Sequence, residues 1–118
     1  MTLKELIYAL ERADNHDARE GLNVLIANHI GWEFDKSACW WRDELGELTE
    51  YATSPEFTAS LDAALTLVGE AAWHIEYSDE QEDFRASVFG AYDWKHGNSR
   101  HSPAIAVCIA ALKARSGT

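Results

Sequence analysis

Hydrophobic residues near the start of the chain recur at helical spacing. Four of them follow the i, i+3, i+4, i+7 pattern that places side chains on one helix face: Leu3, Leu6, Ile7 and Leu10. Thr2 and Glu5 have the spacing of a capping box, in which each side chain satisfies a backbone N–H at the helix start. We therefore predict a first helix over residues 2–13.

A second helical stripe follows almost at once and consists of Leu22, Leu25, Ile26 and His29. Asp17 and Glu20 repeat the capping spacing, and Gly31 offers the left-handed conformation in which a chain often leaves a helix. These signals predict a second helix from about Asp17 to Ile30, with His29 packed against a neighbouring sheet.

The helical period then disappears, and two hairpins are predicted. The aromatic run 39–41 and residues 48–51 flank the turn-forming segment 43–46, which indicates a short hairpin. Further along, residues 73–77 and 84–89 alternate apolar and polar side chains on either side of a polar link. This alternation predicts a clearer hairpin whose core face includes Trp73 and Ile75.

Two further helices are marked by their ends. Ser60 caps a short third helix that ends at Gly69, and Ser102-Pro103 provides a cap and a first-turn proline for a last helix running to about Arg115. The last helix is apolar on most of its circumference, so we expect it to be buried along much of its length. The polar residues 93–101 before it predict an irregular loop.

These elements have the order α-α-β-β-α-β-β-α, within a single domain over residues 1–118. Because hairpins pair their strands antiparallel, the fold class is predicted to be α+β, a sandwich of helices packed on a mainly antiparallel sheet.

Composition narrows the classes of partner. The chain has 118 residues, with 20 acidic and 10 basic side chains and a net charge of −10 when histidine is neutral. A phosphate backbone repels so acidic a chain, so direct binding to nucleic acid is not expected. Apolar runs are too short for a membrane helix and the start lacks a signal-peptide pattern, so we predict a cytoplasmic protein, either monomer or homodimer.

The acidic residues are concentrated in the middle of the chain. Residues 33–83 contain fourteen acids and two bases, whereas residues 84–118 contain five bases and one acid. Most of the central acids fall in predicted turns or at solvent-facing strand positions, where they repel one another unless a cationic partner covers them. The alternative interpretation is that these acids simply lie in solvated loops of an acidic protein. The candidate partner-binding residues are Asp43, Glu44, Glu47, Glu50, Asp79, Glu80, Glu82 and Asp83.

Residues that carry catalytic or metal chemistry are present but not in a recognisable spacing. Asp93, His96 and His101 share one predicted loop, yet their spacing matches no strong metal motif, so no metal site is predicted. Cys108 lies on the apolar last helix and should behave as a small hydrophobic side chain, and Cys39 has no base placed beside it. We predict neither an enzyme nor a cofactor.

Five tryptophans are a further unusual feature. Adjacent Trp40 and Trp41 must point to opposite faces of any strand that contains them. Trp41 and Trp94 are candidate aromatic anchors, because tryptophan is enriched among residues that dominate binding energy. Packing at the ends of the core is the structural alternative.

Three segments together resemble a known family. They are Gly31-Trp32, the Ser-Leu-Asp-Ala-Ala-Leu-Thr-Leu-Val sequence at 60–68, and residues 102–115 from Ser-Pro-Ala-Ile-Ala to Lys-Ala-Arg. In this order they resemble the small phage and prophage proteins of the phage ABA sandwich domain family. The resemblance implies a phage accessory protein with helices on both faces of a sheet, acting in the bacterial host cytoplasm, and it assigns no catalytic residue.

Charge and resemblance together lead to one hypothesis and two alternatives. The hypothesis is an acidic phage accessory protein that binds and inhibits a host nucleic-acid-binding protein, such as a CRISPR effector, as a possible nucleic-acid mimic. The first alternative is a small-ligand module that sequesters a nucleotide immune signal through Arg85, Lys95, Arg100 and the aromatic residues of the 92–101 loop. The second is a virion or assembly component.

Overall fold

A computed structural model describes residues 2–13 and 16–116, together with their side chains except those of residues 16–20. In this part of the chain there are four helices and five strands. They are α1 (Leu3–Glu11), α2 (His16–His29), β1 (Glu33–Asp35), β2 (Trp40–Arg42), α3 (Leu61–Leu65), β3 (Trp73–Ser78), β4 (Asp83–Phe89), β5 (Trp94–Ser99) and α4 (Pro103–Arg115).

The predicted fold class is confirmed, as is the order of the predicted elements. Helices pack on antiparallel strands that form a two-stranded sheet, β1-β2, and a three-stranded sheet, β3-β4-β5. The predicted caps at Thr2, Ser60 and Ser102 each accept a hydrogen bond from the backbone N–H three residues later. The predicted cap at Asp17 and Glu20 concerns side chains outside those described.

Strand β5 adds to the predicted order and corrects the loop prediction for residues 93–101. Trp94–Ser99 pairs antiparallel with β4 over six residue pairs, from Phe89 with Trp94 to Phe84 with Ser99. The positions of β5 that face the helices are Lys95, Gly97 and Ser99, so the strand lacks the alternating large apolar side chains on which strand prediction depends.

The first hairpin forms in a different place from the predicted one. Strand β2 pairs with β1 through a turn at residues 36–39, and Phe34 lies opposite Trp41. The predicted second strand at 48–51 is reduced to a single bridge between Arg42 and Leu48. The turn at 43–46 is nevertheless present, because the Gly46 N–H donates to the Asp43 carbonyl at 2.9 Å.

Helix α4 is the centre of the core and packs directly on β4 and β5. Every residue from Ala104 to Leu112 is buried, as the apolar circumference predicted. Close approach is possible because β5 has a glycine at the crossing point. A Cβ atom on Gly97 would lie 2.4 Å from the Ala106 carbonyl oxygen and 2.7 Å from the Ile109 Cβ.

The opposite face of the three-stranded sheet carries exposed His74, Glu76 and His96 and packs against no described helix. This corrects the expectation, drawn from the family resemblance, of helices on both faces. Two burial predictions are also wrong: Trp73 is 49% exposed at the start of β3, and His29 is exposed at the end of α2. No helix in the described residues is long and apolar enough to span a membrane.

Candidate functional site

Residues 43–50, which we call the acidic loop, follow β2 and turn sharply at their start. The Asp43 carboxylate accepts hydrogen bonds from the backbone N–H groups of Leu45 and Glu47, each at 3.0 Å. Such bonds from an aspartate to its own turn hold the backbone in one conformation. The Asp43 carboxylate therefore stabilises the loop conformation, while Glu47 and Glu50 remain exposed.

Glu44 fixes the acidic loop to the end of helix α2. Its carboxylate accepts from Trp32 Nε1 at 2.6 Å, and the Trp32 ring lies 6.0 Å from that of Tyr51. Gly31 has a φ of +97° and lies directly against Glu44, so that a Cβ there would be 3.4 Å from the Glu44 Cβ. This contact explains the position of the glycine and gives the loop a fixed place beside the helix.

Residues 79–83, which we call the acidic turn, join β3 to β4. Asp79, Glu80 and Glu82 are exposed. Glu82 has a φ of +52°, a left-handed conformation that costs a residue with a Cβ about 1–2 kcal/mol. The turn thus holds the backbone of Glu82 in a conformation that a glycine or asparagine would adopt at lower cost.

Asp83 differs from the other candidate acidic residues because it is buried, at 8% exposure. Its carboxylate accepts from Asn98 Nδ2 at 3.2 Å and lies 3.5 Å from Arg85 Nε. Arg85 also donates to the Gln81 side chain. Asp83 Oδ1 and Arg85 Nε are both buried and neither has a hydrogen-bond partner among the described residues. The predicted exposure of Asp83 is therefore wrong, because the side chains around the start of β4 enclose its carboxylate.

Six of the candidate acidic residues are exposed. Among the side chains that the structure describes, no ion pair involves the following residues: Glu44, Glu47, Glu50, Asp79, Glu80 and Glu82. Within the same described residues, no hydrogen bond or ion pair joins the acidic loop to the acidic turn. The acidic loop follows β2, and the acidic turn joins β3 to β4.

The two predicted aromatic anchors have different surroundings. Trp41 is 6% exposed and packs edge-on against Phe34, with ring centroids 5.7 Å apart, so it belongs to the core and not to a binding surface. The adjacent Trp40 points the other way and is 37% exposed. Trp94 is 43% exposed and contacts the ring of Phe89 at 5.4 Å, which leaves it available to a partner.

The basic residues of the alternative ligand site do not converge. Arg85 pairs with Asn98, whereas Lys95 pairs with Val88, so strand alternation places Arg85 and Lys95 on opposite faces of the sheet. A single small ligand does not contact both. Arg100 is exposed in the segment that leads into α4.

The described residues show no arrangement typical of a catalytic or metal site. Ser87 Oγ lies 2.9 Å from His96 Nδ1, but the described residues provide no carboxylate bonded to the other ring nitrogen, so the pair is an ordinary cross-strand contact. The described histidine, cysteine and acidic side chains form no group suited to a metal ion. Burial raises the pKa of the Cys108 thiol far above its ordinary range, which makes it a poor nucleophile.

An apolar groove, which the sequence did not predict, lies between helix α1 and strand β5. It has a volume of about 1230 Å³. Leu3, Ile7 and Tyr8 line one wall, and Trp94 and Lys95 line the other. One wall of the groove is strand β5. Because residues 93–101 were predicted to be a loop, the groove could not be predicted. Its one sequence signal is Tyr8, a large aromatic residue outside the apolar stripe of α1.

Comparison with known proteins found no family model, no curated protein and no solved structure that matches this chain. The resemblance to phage sandwich domains accordingly stays a prediction.

Proposed function

We propose that this protein is a non-enzymatic binding protein whose acidic loop and acidic turn contact the basic surface of a nucleic-acid-binding protein. The observation that carries the proposal is the set of exposed carboxylates without a cationic partner among the described side chains. Like charges held close together destabilise a folded chain, and a cationic partner relieves that repulsion while it accelerates association.

The shape of the acidic loop supports a binding role over a solvated linker. Asp43 and Glu44 use their carboxylates to hold the loop in place, through Leu45, Glu47 and Trp32. A surface whose backbone is already ordered loses little conformational entropy when a partner covers it. The backbone that carries Glu47 and Glu50 is therefore ordered before a partner binds.

The family resemblance adds a setting to this proposal. A phage accessory protein in a bacterial cytoplasm meets host proteins that hold DNA or RNA in cationic grooves, among them CRISPR effectors. An acidic surface competes for such a groove because it presents the same sign of charge as a phosphate backbone. We propose inhibition by this competition, with no cofactor.

A competition assay tests the proposal. Labelled DNA bound to each member of a panel of nucleic-acid-binding proteins, including a CRISPR effector with its guide RNA, is titrated with the protein and followed by fluorescence anisotropy. We expect displacement from at least one member, weakened by added salt. Glu47→Lys with Glu50→Lys, or Asp79→Lys with Glu80→Lys, should weaken it at least about tenfold, which corresponds to about 1.4 kcal/mol.

The matched control is Glu56→Lys with Glu70→Lys, which changes the net charge equally at exposed positions outside both acidic segments. Displacement by this control should stay within about twofold of the original chain. If all three double variants displace DNA equally weakly, the effect depends on net charge alone and not on the acidic segments. Failure to displace DNA from any member would exclude competition at the proteins tested.

A further inference from the structure

Strands β3 and β5 are the two outer strands of the three-stranded sheet within the described residues, and the outer edge of β5 faces the groove beside α1. The backbone carbonyl of His96 points to this edge, because it accepts a hydrogen bond from Lys113 Nζ at 3.0 Å. In an antiparallel strand the N–H and C=O of one residue point to the same side, and the side alternates along the strand. The backbone groups of Trp94 and Asn98 therefore face the same edge.

Helix α1 packs on α4 and lines the groove together with the outer edge of β5. Leu6 and Leu10 are buried in the core beside α4, whereas Leu3 and Ile7 are partly buried and Tyr8 is 59% exposed along the groove. Neighbouring strands in a sheet lie about 4.8 Å apart, so one further strand next to β5 would cover the exposed side of α1. The fold thus has a helix surface with a free strand position above it.

The groove also differs from the rest of the chain in charge. Lys4, Lys95 and Lys113 line it, although the whole chain has a net charge of −10. Two acids, Glu5 and Glu11, line it as well, and Glu5 accepts a hydrogen bond from the Thr2 hydroxyl at 3.1 Å. Lys4 comes from α1, Lys95 from β5 and Lys113 from α4, and Lys95 also pairs with the Asp93 carboxylate at 3.1 Å. Lysines outnumber acids among the side chains that line the groove, so an added segment is expected to carry carboxylates.

We propose that this groove binds an extended, acidic peptide segment of a partner protein, which adds to β5 as a fourth strand. Backbone hydrogen bonds to Trp94, His96 and Asn98 hold the segment, and apolar side chains at every second position pack on Leu3, Ile7 and Tyr8. The surface is separate from the acidic loop and the acidic turn, so the proposal extends the chain's partners beyond those proposed above.

A lone peptide strand suits this position better than a second copy of the chain does. The β5 of a second copy carries its own α4 beneath it, because α4 packs on the inner face of β5. That helix would have to occupy the space that α1 fills in the first copy. An extended peptide has no layer beneath it and meets no such obstacle.

The first experiment titrates the ¹⁵N-labelled protein with a capped octapeptide of four Val-Glu repeats, followed by NMR. We expect chemical-shift changes at residues 94–98 and along α1, with a Kd of about 1 mM or tighter. A Val-Lys peptide of equal length should bind at least about tenfold more weakly, because lysines outnumber acids among the side chains that line the groove. Methylation of the peptide amides that face β5 should abolish binding, while methylation of the other edge should leave it.

The second experiment compares His96→Pro with His96→Ala. Both remove the imidazole, but only proline removes the backbone N–H that faces the open edge, and this N–H is outside the ladder with β4. We expect His96→Pro to weaken the Val-Glu peptide at least about tenfold and His96→Ala to stay within about twofold. Circular dichroism checks that both variants fold, and if the proline variant does not, the methylated peptides answer the same question with the original chain.

Three results would overturn the proposal. The first is the absence of shift changes at residues 94–98 at millimolar peptide, and the second is binding that is indifferent to which peptide edge is methylated. The third is a dimer in sedimentation experiments that dissociates on His96→Pro, because the edge would then serve a second copy of the chain.

Discussion

The contact between helix α4 and strand β5 makes a strong prediction about Gly97. Replacing its hydrogen with a methyl group, in Gly97→Ala, places a Cβ 2.4 Å from the Ala106 carbonyl oxygen, 2.7 Å from the Ile109 Cβ and 2.8 Å from the Ala110 nitrogen. Two of these three atoms are backbone, so a change of side-chain rotamer does not remove the overlap.

The cost can be estimated from the distance that α4 must move. Nonbonded carbon contacts are most favourable at about 3.5–4.0 Å, so the helix has to retreat by roughly 1 Å. A gap of that width loses a quarter to a half of the attraction at each affected contact, and the α4 residues from Ala104 to Leu112 are all buried. We expect Gly97→Ala to lower the free energy of unfolding by about 3 kcal/mol, at the upper end of the usual cost of overpacking.

Urea denaturation followed by tryptophan fluorescence measures this change, since Trp41 is buried in the folded chain. With a typical m-value the midpoint should fall by about 1–2 M urea. Gly21→Ala is the matched control: Gly21 lies inside α2 with no atom within 4 Å of an added Cβ, so alanine should raise the free energy of unfolding by about 0.5–1 kcal/mol. An unchanged or raised midpoint for Gly97→Ala would refute the close helix–strand approach.

Three further predictions concern single side chains. Asn23→Ala should cost about 1–3 kcal/mol, measured by urea denaturation, because the buried Asn23 Oδ1 accepts from both the backbone N–H and the hydroxyl of Thr58 at 2.9 Å. A thiol reagent should modify one cysteine of the folded chain, exposed Cys39, and reach buried Cys108 only in denaturant; modification of both under native conditions would contradict its burial. The Ala38 N–H and the Arg42 side chain lower the pKa of Asp35, so Asp35→Asn should reduce stability at neutral pH, and its difference from the original chain should shrink as the pH falls below about 4 and through that lowered pKa. Thermal unfolding across this pH range measures the difference, and a constant gap would contradict the lowered pKa.

Much of the fold could be predicted because its signals are local. Helix α4 combines a Ser-Pro start with a continuous apolar sequence, and both the helix and its burial are confirmed. The hairpin of β3 and β4 was predicted from period-two alternation. Strand β5 could not be predicted in this way, because Gly97 is required by the close passage of α4 and a glycine contributes nothing to an apolar pattern.

The candidate site was predicted less completely, for a different physical reason. Exposure of Glu47, Glu50 and Glu80 follows from their place in turns, and the structure has them exposed. The burial of Asp83 and Trp41 depends on partners distant in sequence or on the opposite strand, such as Asn98 and Phe34. The groove beside α1 depends on which strand lies at the sheet edge, which is a property of topology and not of any one segment.

Helix α4 follows every other element along the chain, yet it contacts β4, β5, α1 and α3. Before the ribosome releases residues 103–112, the apolar surfaces that α4 covers, on β4, β5, α1 and α3, therefore lack the helix that packs on them. Hairpins and single helices can form early, but the interior assembles only once this segment emerges from the exit tunnel. Until then the exposed apolar surfaces favour aggregation, and the repulsion between acidic side chains of neighbouring chains opposes it.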